Sequence, residues 1–97
     1  MVKPLTQLEI SQALTKLPRG RYKNNELSKD FSFSSFHEAL SFIVRVGIEA
    51  EELNHHPKII NVYTKVMLRL NTHDAGNKVT YNNVELAQRI DFNLKKE

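Results

Sequence analysis

The sequence predicts an α+β chain: a four-stranded antiparallel sheet with three helices packed on one face, in the order α-β-β-α-β-β-α. Three observations point to it. Three stretches open with a helix-capping signal and continue with apolar residues at helical spacing. The extended stretches between them come as adjacent pairs joined by short turns, which makes hairpins and therefore an antiparallel sheet. No linker, repeat or low-complexity segment divides the chain, so residues 1–97 read as a single domain. An amphipathic helix must bury its apolar stripe, and one face of a small sheet is where it can do so.

The elements follow in order. Thr6-Gln7-Leu8-Glu9 is a capping box, with Leu5 and Ile10 placed as a hydrophobic staple. A helix is expected from there to about Lys16, burying Leu8, Ala13, Leu14 and Leu17, and stopped by Pro18 and Gly20. Arg21–Lys23 is a short strand and Asn24-Asn25 a turn. Leu27, Lys29, Phe31 and Phe33 then alternate with Glu26, Ser28, Asp30 and Ser32, the period of a half-buried strand. Ser35-Phe36-His37-Glu38 is a second capping box, opening a helix from Ser35 to Leu53 with Phe36, Ala39, Leu40, Ile43, Val46, Ala50 and Leu53 on its apolar stripe. Pro57 forces extended backbone just after it. Ile60 and Val62, a turn near Tyr63-Thr64-Lys65, then Val66, Leu68 and Leu70 form the second hairpin, with Met67, Arg69, Asn71 and His73 on the opposite face of its second strand. After a loop at Asp74-Ala75-Gly76-Asn77-Lys78, Thr80 caps a third helix, stapled by Val79 and Val84 and burying Val84, Ala87, Ile90 and Leu94. Phe31, Phe33, Phe36 and Phe42 fall on core faces, and Tyr63 is expected to pack at its hairpin end.

Composition excludes several function classes. With 97 residues and 40% hydrophobic content, the chain can bury a real core. It has no cysteine, so disulfides and thiolate metal sites are excluded. No apolar run approaches the ~20 residues a membrane span needs, and Met1-Val2-Lys3-Pro4 is not a signal region, so a soluble cytoplasmic protein is expected. The net charge of +3 is scattered, with small clusters at Arg19–Lys23 and Lys95-Lys96, unlike the basic stripe of a nucleic-acid binder. There is no phosphate loop, nucleophile elbow or dinucleotide fingerprint.

What stands out is histidine. His55-His56-Pro57 sits at the foot of the second helix, and His73 ends the last strand in Asn71-Thr72-His73-Asp74. Three readings are open. A metal site is one, although neighbours in extended chain point opposite ways and no carboxylate cluster completes a ligand set. Helix-end histidines favoured by the dipole are the second. The third is acid–base chemistry, because imidazole alone exchanges protons near neutral pH without a perturbed pKa. Glu51, one turn above His55, could orient a ring or a ligand, or be a solvated carboxylate like Glu52. His37, at a helix start, reads as a surface residue.

These residues resemble a known family. Glu51-x-x-x-His55-His56-Pro57, then Tyr63, then His73-Asp74-Ala75-Gly76 is similar to the pterin-4a-carbinolamine dehydratases. Leu14-Thr15-Lys16-Leu17-Pro18, Phe31-Ser32-Phe33-Ser34-Ser35-Phe36 with Ala39, and Leu86-Ala87 with Ile90-Asp91 extend the likeness over nearly the whole chain. The resemblance implies the same sheet-and-helix fold, homodimers or homotetramers, and dehydration of 4a-hydroxytetrahydropterin to quinonoid dihydropterin, in recycling the tetrahydrobiopterin of aromatic amino-acid hydroxylases. It implies no metal and no organic cofactor. It makes His55, His56 and His73 catalytic, with His56 and His73 flanking the reacting bond and His55 assisting. Glu51, Asn54, Pro57, Asn71, Thr72 and Asp74 become the substrate-binding set. It also implies an alternative, a non-catalytic interaction module or transcriptional coactivator on the same fold.

Two departures qualify the likeness. Arg19-Gly20-Arg21-Tyr22 stands where the family has Gly-Trp after its Leu-Pro. The loop Ala75-Gly76-Asn77-Lys78-Val79-Thr80-Tyr81-Asn82-Asn83 is one residue longer than the family's, and Asn83 replaces an aspartate. Asn83 stands at the third helical position, where an acceptor caps the helix. If that position also orients a histidine or the substrate, the activity is reduced or retuned.

Overall fold

A computed structural model of the chain describes residues 3–95, with side chains as far as Asp91. Its elements are α1 (Gln7–Leu14), β1 (Arg21–Lys23), β2 (Glu26–Ser32), α2 (Phe36–Leu53), β3 (Lys58–Val62), β4 (Lys65–Leu70), a 3-10 turn at His73–Ala75 and α3 (Tyr81–Lys95). The four strands form one antiparallel sheet in the order β1-β2-β4-β3, as the pairing of adjacent extended segments predicts. The crossover from β2 to β3 runs through α2, so β4 returns between the two hairpins' outer strands.

Local chemistry sets the boundaries. Thr6 makes both halves of its capping box: its hydroxyl accepts from the Glu9 N–H at 3.2 Å, and Glu9 Oε1 accepts from the Thr6 N–H at 2.9 Å. The helix ends two residues sooner than the pattern suggests, because Thr15, Lys16 and Leu17 bond back three residues and tighten into a turn. At α2, Ser35 accepts from the Glu38 N–H at 3.1 Å, while the Glu38 carboxylate bonds the Ser34 hydroxyl. Asn24 and Asn25 take φ of 54° and 64°, the left-handed pair that a two-residue hairpin needs to match strand twist.

The core lies between one sheet face and the helices. In register, Leu27 faces Leu70, Lys29 faces Leu68 and Phe31 faces Val66, and the apolar members of these pairs are buried. Ile10 and Leu17 come from the α1 region, Ala39, Phe42, Val46 and Ala50 from α2, and Val84, Leu86 and Ile90 from α3. Phe42 is the hub, with its ring centroid 4.7 Å from that of Phe31 and 5.0 Å from that of Phe33. Lys29 can sit on this apolar face because its ammonium meets Asp91 of α3 at 2.8 Å.

Several expected core positions are exposed. Leu8 is 68% exposed, since α1 lays Ile10 and Ala13 toward the sheet and Leu8 falls on the outer side. Phe36 and Leu40 are 46% and 43% exposed. Helix α2 carries two apolar stripes, and the one bearing the small residues Ala39 and Ala50 packs inward, where the backbone can approach its neighbours closely. Phe36, Leu40, Val44 and Ile48 form the other stripe, on the outside. Tyr63 is 71% exposed at a turn position with φ 52°. Leu86, fully buried, was not among the expected core residues; the expected burial of Leu94 lies outside the described side chains. No helix among the described residues is long and apolar enough to cross a membrane.

Candidate active site

The histidine doublet is aimed by how α2 ends. Asn54 takes the left-handed conformation (φ 49°, ψ 45°), the His55 N–H bonds the Ala50 carbonyl at 3.0 Å, and the Asn54 N–H bonds that of Glu51 at 3.1 Å. This is a Schellman closure, and asparagine is one of the few residues that enter that conformation cheaply. The chain then turns sharply, Pro57 keeps it extended, and the two rings diverge. His55 points inward and is 9% exposed. The His56 side chain is 56% exposed and its Nε2 lies 3.3 Å from Glu51 Oε1. The carboxylate thus reaches His56 and not His55, the ring one helical turn below it, because the left-handed residue breaks the helical spacing.

His73 comes from a later segment of the chain, after β4. It opens the 3-10 turn, whereas the sequence pattern put it on the last strand with the loop starting at Asp74; β4 ends at Leu70. Thr72 anchors that segment: its N–H bonds the Lys78 carbonyl at 2.8 Å and its carbonyl accepts from Asn77 at 3.0 Å. Gly76 and Asn77 supply the positive φ values, 74° and 60°, that let the loop fold back. His73 Nδ1 lies 3.2 Å from Asn77 Oδ1.

All three imidazoles line one open cleft at the end of the sheet. Pro57, Asn71, Thr72 and Asp74 line it as well. Asn54 and Glu51 do not: Asn54 acts as the helix terminator, and Glu51 meets the cleft only through His56. Sequence reasoning missed Glu26, Lys58, Arg69 and Asn77 as lining residues. For Arg69 a signal existed, since the sequence alternation groups it with Asn71 and His73; Lys58 is its register partner across the β3–β4 ladder. The cleft is therefore polar, lined by the cations Lys58 and Arg69 and the carboxylates Glu26 and Asp74. Among the described residues, no group of three or more His, Asp or Glu side chains is placed to hold a metal ion.

Behind the cleft lies a buried network. Asn83 and Thr80 are fully buried and Thr72 nearly so. Asn83 Oδ1 accepts from the Thr80 N–H at 2.8 Å and from the Thr72 hydroxyl at 3.1 Å, and Thr72 and Thr80 share a hydroxyl contact of 2.6 Å. The Asn83 amide nitrogen meets His55 Nε2. Asn83 thus supplies the expected helix-capping acceptor, while the Thr80 hydroxyl turns to Thr72.

Burial, with a smaller contribution from the neighbouring His56, pushes His55 below its ordinary value of 6.5. The unfolded chain therefore takes up this proton before the folded protein does. Stability from this ring is complete above pH 6.5 and is lost as pH falls through the lowered folded value. Urea midpoints should drop between about pH 7.5 and about pH 5.5, and His55→Gln should remove part of that drop. An equal drop in the variant would show that another group carries it.

Comparison with known proteins bears on this site. The family described as Pterin 4 alpha carbinolamine dehydratase matches residues 3–92. A protein of Opitutus terrae, provisionally named a pterin-4-alpha-carbinolamine dehydratase, is 52% identical over 87 residues, 90% of each chain. One from Sulfurisphaera tokodaii, named in the same provisional way, is 42% identical and covers 93% of this chain and 96% of its own. The crystal structure of a transcriptional coactivator/pterin dehydratase from Brucella melitensis superposes with a TM-score of 0.86 at 30% identity, covering 91% of this chain and 95% of its own. A pterin dehydratase-like protein identified as a RuBisCO assembly factor in the alpha-carboxysome is more distant, with a TM-score of 0.60 at 27% identity over 75% of this chain and 83% of its own. With a family match spanning nearly all of its length and full-length relatives above 40% identity, the chain belongs to the pterin-4a-carbinolamine dehydratase family.

Proposed function

We propose that the protein dehydrates 4a-hydroxytetrahydropterin to quinonoid dihydropterin and water, in the cytoplasm, as a step in tetrahydrobiopterin recycling alongside an aromatic amino-acid hydroxylase. The observation that carries this reading is the meeting of His55, His56 and His73, from two distant segments, in one polar cleft. The reaction removes a proton from ring N5 and delivers one to the 4a-hydroxyl. The C4a–O bond breaks, water leaves, and the N5 electron pair forms the N5=C4a double bond. Both are general acid–base steps, each worth ~10²–10⁴ in rate. His56 and His73 take the two proton transfers and His55 assists. Glu51 sets the His56 ring through their 3.3 Å contact. Asn71, Asp74 and the backbone at Thr72 offer polar groups to the pterin edge, and Pro57 holds the doublet. No cofactor, metal, nucleic acid or membrane enters this reading.

The direct test is the decay of synthetic 4a-hydroxytetrahydropterin followed by absorbance. Purified protein should accelerate it; a rate equal to the buffer control would reject the proposal.

The outer stripe of α2 supports self-association into a homodimer or homotetramer. Phe36, Leu40, Val44 and Ile48 recur every fourth residue, each more than 40% exposed, as the contact stripe of packed helices would. Val44→Glu should lower the native mass measured by light scattering by at least about half, since an unpaired charge in an apolar contact costs several kcal/mol; an unchanged mass places the interface elsewhere. The same stripe serves the second reading, a non-catalytic interaction module or coactivator. Failure to bind a pterin, with a stable protein partner recovered through α2, would favour it.

A further inference from the structure

The buried network behind the cleft fixes more than a ring orientation. The Thr80 backbone N–H can only donate, so the Asn83 atom 2.8 Å from it must be the carbonyl oxygen. The Thr72 hydroxyl donates to the same oxygen, so the Thr80 hydroxyl must donate to Thr72. The remaining Asn83 group, its NH2, then faces His55 and can only donate. His55 Nε2 must accept, which leaves the ring's single proton on Nδ1. Every hydrogen bond in the chain from Thr80 to His55 points one way, and each member is at least nine-tenths buried. Protonating Nε2 would set two donors against each other in direct contact, with no freedom to flip, since a flipped Asn83 would face the Thr80 N–H with its own NH2. Among the described residues no group bonds Nδ1, so that N–H is available on the cleft side.

We propose that Asn83 is a positioning residue that locks His55 as a neutral imidazole with its proton on Nδ1, so that His55 presents a permanent hydrogen-bond donor to an acceptor on the ligand and takes no part in proton transfer. The proton exchange then falls to His56 and His73, whose rings have no such buried donor behind them. This consequence for catalysis rests on the dehydratase reading; the protonation state itself does not. The ionisable groups sharing the cleft are His56, Glu26 on β2, Lys58 on β3, Arg69 on β4, and His73 and Asp74 on the 3-10 turn. Two carboxylates oppose two fixed cations there, so they supply no clear excess of negative charge that would draw a proton onto His55. Its lowered proton affinity agrees with this state.

The test is nitrogen NMR on histidine-labelled full-length protein across the pH range in which an exposed imidazole titrates. In the wild type the His55 proton should reside on Nδ1, with Nε2 bare, and this ring should stay neutral at pH values where a free imidazole gains its second proton. In Asn83→Asp the atom facing the ring becomes an acceptor. The proton should move to Nε2, and the ring should titrate about one unit higher or more. A wild-type spectrum with the proton on Nε2, or an Asn83→Asp variant with unchanged ring shifts and titration, overturns the proposal. The wild-type spectrum decides the matter even if the variant fails to fold. The predicted spectrum in a protein without dehydratase activity would leave the tautomer standing and remove the dehydratase reading. Activity with the opposite tautomer would do the reverse.

Discussion

Replacing His73 by alanine is expected to lower kcat/KM for 4a-hydroxytetrahydropterin by about 10²–10⁴-fold, the usual worth of one positioned acid–base group. The site makes this a clean experiment. His73 is exposed on the 3-10 turn, and that turn is held by backbone bonds of Thr72 to Lys78 and Asn77, which the substitution leaves intact. Its ring gives up only the 3.2 Å contact with Asn77, so stability should change by no more than about 0.5 kcal/mol. Near wild-type turnover in a folded His73→Ala protein would remove His73 from the proton-transfer step. The same substitution at His37, exposed at the start of α2, should leave turnover unchanged.

Phe42→Ala should bring the largest loss of stability, about 3–5 kcal/mol. The side chain is 3% exposed and stacks against both Phe31 and Phe33, so α2 would leave a cavity against β2 that rigid strands cannot close. Set against a total of ~5–15 kcal/mol for a domain of this size, that is a large part of the margin, and it should appear as a fall in Tm of more than about 10 °C. Leu8→Ala, on the exposed side of α1, should stay within about 0.5 kcal/mol. The comparison sets an inward position of α2 against an outward position of α1. Equal losses at Phe42 and Leu8 would mean that the inward stripe is wrongly placed.

Much of the fold was legible because local chemistry and tertiary structure agree. Thr6 starts its helix with both hydrogen bonds of a capping box, and Ser35 with the hydroxyl half of one. Asn24-Asn25 can close a tight hairpin, and the alternation from Leu27 to Phe31 faces the core as period two requires. Periodicity failed where a helix has two apolar stripes. On α2 both Phe36 and Phe42 look like core, and only close packing chooses the stripe containing Ala39 and Ala50. Periodicity placed Lys29 on the core face correctly, but not its partner there, Asp91, 62 residues away.

The site divides in the same way. The three histidines could be gathered from their place at two element ends. Their partners could not, because each depends on a turn. The left-handed Asn54 sends Glu51 to His56 in place of His55. The fold-back at Gly76 and Asn77 brings Thr80 against Thr72, and Asn83 against His55, 28 residues away. Arg69 and Lys58 join the cleft through strand register, a long-range property. The replacement of the family's aspartate by Asn83 was visible as a departure in the sequence, but its meaning needed the direction of each hydrogen bond around it.

A crystal structure of the protein with a reduced pterin bound tests the central claim most directly. The account predicts the pterin ring between His55, His56 and His73, with N5 within hydrogen-bonding reach of one of His56 and His73, the other one water away from C4a, and the His55 Nδ1–H on a pterin acceptor. A pterin seated elsewhere, for instance in the basic cleft beside Arg21 and Lys23 at the far sheet edge, with the three imidazoles untouched, would contradict it.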